Sequence, residues 1–214
     1  MLAALALVSG PASAGPPSPA DAGPLDSLAH YYATQDAAAV ARLLAGARTR
    51  EERLLCRYRL YPLTRDESLV ADIPSVEGVR SAREAALIAG LWGFRAAQAS
   101  PLRLPTYGRR SEGALNHARR LNPDEPYVLL IEGQSLLYKP AIFGGDPHAA
   151  QGRFERLRDL IRGRRIEGMD PIEPEVWVWM TLRRQRSSQA EPLRRRLLAR
   201  NPPPLFRQFL TDPP

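Results

Sequence analysis

The sequence predicts an all-α fold, and three features carry that prediction. Apolar residues recur at helical spacing along most of the chain, and no stretch alternates with the period of two that marks a half-buried strand. Helix-start signals, an Asp, Thr or Ser ahead of an apolar run, recur at Asp36, Thr49, Ser81 and Asp146. The 214 residues are 44% hydrophobic and 25% charged, enough for one sizeable core or a short stack of helices and too apolar for wholesale disorder.

The chain opens MLAALALVSGPASAG. An apolar run from Leu2 to Val8, a Gly-Pro break and Ala12-Ser13-Ala14 match a secretory signal over residues 1–14, with cleavage after Ala14. The basic residues that usually precede such a run are missing, so either the start lies upstream or the signal is weak. Residues 15–24, rich in Pro and Ala, read as a disordered leader. The remaining residues, 25–214, read as one helical domain in an exported, periplasmic or secreted protein.

Two Ala- and Leu-rich helices are expected at 25–33 and 36–45, the second capped by Asp36. Thr49 and Glu52 form a capping box for a helix over 49–60, and PLTRDESLVADIP follows as an irregular connection. Ser81 and Glu84 offer a second box for a long helix over 81–99, whose stripe is Ile88, Leu91, Trp92 and Ala96. SPLRLPTYGRR reads as a Pro-interrupted turn leading to a helix over 111–121. The next helix, 127–138, is apolar nearly all round and should be sandwiched. Beyond it, Ala150, Phe154, Leu157 and Ile161 stripe a helix over 147–162. Trp177, Trp179 and Met180 lie on a helix over 174–186, where they suit core packing better than a ligand platform. A basic, Leu-striped helix over 190–200 is read as the last.

Charge and chemistry narrow the function classes. The net charge is +7, and Lys139 is the only lysine, so the positive charge is arginine, which forks onto carboxylates and phosphates. Cys56 is alone, which excludes an intrachain disulfide, and it reads as a small buried hydrophobe. His30, His117 and His148 are scattered without ligand spacing, and no zinc-protease, Ser-hydrolase or Walker pattern occurs. No catalytic group, metal or cofactor is therefore expected.

Helix pairs with small residues at matching places suggest an internal repeat. Gly90 and Gly133 lie early in two first helices, Leu115 with Ala118 and Ala150 with Phe154 and Leu157 face them from two second helices, and Asn122-Pro123 closes the first pair. Residues 84–162 thus resemble about two tetratricopeptide repeats (TPR), which implies a short TPR-like right-handed solenoid that binds a protein or peptide. The leucine expected before each glycine is Ala89 in one repeat and Glu132 in the other, and both intrapair turns are longer than the family's. The Phe143-Gly144-Gly145-Asp146 turn also resembles exported repeat proteins of bacteria, including the repeat subunit of some tripartite transporters.

The expected site combines the two long turns. Tyr107, Arg109 and Arg110 in the first, and Lys139, Phe143, Gly144, Gly145 and Asp146 in the second, would meet at one edge. Asp146 should cap the helix that begins at Pro147, both glycines should supply positive φ, and Ile142 with Phe143 should staple the turn down. Free amides ahead of that helix would hold an anion. The expected partner is a protein or peptide, possibly acidic. A small-ligand accessory subunit of a transporter and a nucleic-acid-contacting cytoplasmic protein stay open as alternatives, the latter disfavoured by sparse aromatic–basic interleaving. The last basic helix leaves peripheral contact with anionic lipid open.

Overall fold

The computed structural model describes residues 25 and 27–213; the signal and leader expected at 1–14 and 15–24 lie outside them. Among the described residues the protein is all-helical, with one isolated β-bridge between Ile166 and Met169. The helices are α1 Leu28–Ala33, α2 Ala37–Gly46, α3 Arg50–Thr64, α4 Ala82–Ala97, α5 Leu104–Leu121, α6 Pro126–Tyr138, α7 Pro147–Ile161, α8 Glu173–Arg184, α9 Ala190–Ala199 and α10 Pro204–Thr211.

The caps form where short polar side chains can reach free amides. Asp36 accepts from the Ala39 amide, and the Thr49–Glu52 box is complete in both directions. Ser81 accepts from the Glu84 amide, but the Glu84 carboxylate turns to Arg50 at 2.8 Å instead of closing its own box. Helix α3 continues through Pro62 and stops at Arg65, which takes a left-handed conformation (φ 57°). Part of the connection after it winds into a short 3-10 turn, Glu67–Val70. The helix expected last is followed by α10, whose Leu205, Phe206 and Leu210 are buried.

Successive helices pack on one another, α4 also packs on α6, and α10 returns to α1. Tyr32 meets Phe206 edge-on at 6.5 Å, and Gln35 donates to Gln208 at 2.6 Å, so the first and last helices touch. Glycines permit the closest approaches. A Cβ on Gly133 would lie 2.5 Å from the Phe154 ring of α7, its paired helix. A Cβ on Gly90 would lie 2.7 Å from Tyr58 of α3 and 3.1 Å from Ile131 of α6. The two glycines of the proposed repeat therefore face different kinds of neighbour.

Among the described residues the core contains one ion pair buried on both sides. Arg59 of α3 donates through both terminal nitrogens to the two Glu173 oxygens at the start of α8, each at 2.8 Å, with both side chains about 1% exposed. Its guanidinium stands 4.5 Å from the Tyr32 ring centroid and 5.5 Å from those of Tyr58 and Tyr127. Burial disfavours the charged arginine, yet Glu173, Tyr127 and Tyr32 together more than offset this and hold its pKa well above the ordinary value. Burial likewise pushes the Tyr32 phenol up to about 12. Glu173→Ala strands this cation in the core and should lower stability by roughly 3 to 5 kcal/mol, read by thermal or urea unfolding. Arg59→Met combined with Glu173→Leu should cost clearly less than Glu173→Ala alone.

Candidate functional surface at the turn end

Two intrapair turns join α4 to α5 and α6 to α7. Ser111 Oγ donates to the Ala89 carbonyl at 2.9 Å, and Trp92 lies against Tyr107, so α4 and α5 run antiparallel. Glu112 stands opposite Lys139 while Arg119 stands opposite Glu132, so α5 and α6 also run antiparallel. Both turns consequently leave the helices at the same end of the array, and Lys139 Nζ, 2.6 Å from Glu112, ties the second turn to α5.

Tyr107, Arg109 and Arg110 do not belong to a turn. They lie in the first turns of α5, which begins at Leu104 with Pro105 in its opening turn, where a missing N–H breaks no bond. Tyr107 and Trp92 have ring centroids 5.6 Å apart. Arg95 lies 4.9 Å from the Tyr107 centroid, and Arg110 lies 4.7 Å from that of Trp92. Tyr107 and Arg110 are thus engaged with α4, in cation–π contacts that fix the α4–α5 seam. Arg109 is exposed.

The second turn keeps its cap and loses its anion site. Asp146 Oδ1 accepts from the His148 and Ala149 amides at 2.8 and 3.1 Å, as a cap ahead of Pro147 should. The Gly144 amide donates to the Ala141 carbonyl and the Gly145 amide to that of Pro140. These amides are consumed within the turn and the first turn of α7, so no nest of free donors remains for an anion. Gly144 has φ +86°, whereas Gly145 is needed for a different reason: a Cβ there would fall 1.9 Å from the Lys139 carbonyl oxygen. Ile142 and Phe143 staple nothing down. They are 85% and 62% exposed.

Glu132, just ahead of Gly133, is nearly buried and accepts from Arg119 and Arg153, each at 2.8 Å. Arg119 also pairs with Glu112, which holds Lys139, so a chain of alternating charges clasps α5, α6 and α7.

Leu102, Leu104, Tyr138, Ile142 and Phe143 are exposed large apolar residues, and all lie at this turn end, whereas Leu121, also exposed, lies at the opposite end of α5. Exposed Arg103 and Arg109 stand among them in the chain. The site expected from sequence includes Phe143 and Arg109 but not Leu102, Leu104 or Tyr138, and it has Ile142 packed down rather than exposed. The signal was present: the two leucines of SPLRLP precede the apolar stripe of α5 rather than belong to it.

The other candidates are structural. Cys56 is fully buried, and burial pushes its thiol up to about 11, far from a reactive thiolate. Trp177 stacks on Phe154 at 5.5 Å and, like Trp179, is core. Among the described residues no group of three or more His, Cys, Asp or Glu side chains could hold a metal ion, and no helix is long and apolar enough to cross a membrane. Asp146→Ala should cost about 1 kcal/mol through the lost cap, measured by chemical unfolding, while leaving the helical circular dichroism unchanged. Comparison with protein-family models, curated proteins and solved structures gives no match to this chain in any of the three.

Proposed function

We propose that this protein is a non-catalytic, exported helical scaffold that docks an acidic segment of a partner protein on the turn end of its α4–α7 region. One observation carries the reading. Five large apolar side chains stand exposed at one end of the array, with Leu102 at 92% and Ile142 at 85%. A concentration of exposed apolar surface of this kind marks an interaction site. The arginines around it suit carboxylates on the partner, since charge-assisted bonds strengthen where docking excludes water. The packing of Phe154 against Gly133 supports a TPR-like arrangement of the α6–α7 pair. Export rests on the apolar run and the Ala-Ser-Ala sequence before Gly15.

A photo-crosslinking residue at Ile142, used in the native host, should capture a partner through an acidic segment. Leu102→Ser with Ile142→Ser should abolish that capture and leave the melting temperature nearly unchanged. Undiminished capture by the double variant overturns the reading. So does crosslinking confined to lipid, together with cosedimentation on anionic vesicles, which would make the surface a membrane contact. The protein purified from the same cells should begin near Gly15 by N-terminal sequencing; a mature product that retains Met1 removes the export half.

A further inference from the structure

A second surface, away from the turn end, carries an independent reading. A groove of about 980 Å³ opens between α1, the end of α7, the loop that follows it and the end of α9. Its walls include Arg158, Arg162, Arg164, Arg165, Arg200 and His30. We propose that this groove binds a small, multiply phosphorylated molecule.

The loop is built to present its arginines. Tyr127 Oη donates to the Glu167 carbonyl at 2.7 Å, and Arg83 donates to the Glu167 carboxylate and carbonyl at 3.0 and 3.2 Å. Gly168, at φ +68°, is pressed so close that a Cβ would lie 2.9 Å from the Tyr127 hydroxyl. The loop is thus bolted to the core at residues 166–169, where Ile166 bridges to Met169. Arg162, Arg164 and Arg165 stand exposed on the segment just before that anchor.

The carboxylates nearby leave this charge only partly answered. Arg158, Arg162, Arg164 and Arg200 line the groove together with Glu167, Asp170 and Glu175. Glu167 is held by Arg83 from outside the groove, Asp170 accepts from the Ile172 amide at 2.9 Å, and Glu175 pairs with Arg200. Arg158 and Arg162 share one exposed carboxylate, Asp159, at 3.1 and 2.9 Å. Exposed pairs of this kind are weakly held, so an incoming anion displaces them easily. Arg164 has no carboxylate within ion-pair distance among the described residues.

The chemistry of these groups selects the ligand class. Guanidinium forks match tetrahedral oxyanions, and arginines crowded on one short loop call for closely spaced negative charge, as on a phosphate chain. The volume falls in the usual small-ligand range of roughly 300–1,000 Å³. No Phe, Tyr or Trp among the described residues lines the groove to stack bases, which disfavours a nucleic-acid strand.

Calorimetric titration of the intact protein with inorganic tripolyphosphate tests the proposal, with citrate and a short oligonucleotide titrated in parallel. Tripolyphosphate should bind, more weakly at higher salt. Arg162→Ala with Arg164→Ala should weaken it by roughly tenfold or more through the loss of two charge-assisted forks, while Arg109→Ala at the turn end should not. Arg164→Glu serves as a second variant, because that exposed side chain makes no hydrogen bond or ion pair with the described residues. No binding by the parent, equal binding by both variants, citrate binding as tightly, or binding of the oligonucleotide alone would each overturn it.

Discussion

The fold depends on the buried contact between Arg59 and Glu173, residues 114 positions apart in the chain. The pair joins α3 to α8, while Tyr32 and Tyr127, packed on the guanidinium, add α1 and α6 to the same point. A buried ion pair adds little net stability, because desolvation consumes most of the Coulombic gain. Arg59 Nε lacks an acceptor among the described residues. Its effect is on arrangement: any packing that separates the two leaves an uncompensated charge in an apolar core. Helix faces that would otherwise accept several hydrophobic neighbours are thereby given one set.

From this centre the order spreads outward through Tyr127. Its hydroxyl accepts a hydrogen bond from Arg59 and donates one to the Glu167 carbonyl, so the loop after α7 is positioned by the same cluster that holds the core. Toward the turn end a second polar chain takes over, from Arg153 through Glu132, Arg119 and Glu112 to Lys139. These pairs are partly solvated and individually weak, but together they set the registers of α5, α6 and α7. With those registers set, the residues of the two turns extend past the helix ends, and no described residue covers Leu102 or Ile142.

Much of the turn region could be read locally. The Asp146 cap and Pro147 behind it need only neighbouring residues, because a cap is a bond between atoms a few positions apart. The same local reading went astray at LPTYGRR. Pro105 and Gly108 look like turn punctuation, but proline is welcome in a first helical turn, and the contacts of Tyr107 and Arg110 with α4 outweigh the small cost of one glycine. The expected anion nest failed for another local reason that composition hides: turn carbonyls had already taken the glycine amides. The arginine groove gave no warning in periodicity, since its walls come from α1, α7, a loop, α8 and α9.

The sequence by itself determined the helical class, most helix boundaries, the caps at Asp36, Thr49, Ser81 and Asp146, the buried stripes and the close packing at Gly133. Each of these follows from residues within a turn or two of one another, or from the 3.6-residue period that sorts apolar from polar faces. Only the tertiary structure decided that Arg59 would meet Glu173, that α10 would return to α1, that Glu132 would stand in a charge ladder and that Leu102 and Ile142 would share one end. Those outcomes depend on pairings between distant segments. A one-dimensional pattern shows which face of a helix is buried, but not what buries it.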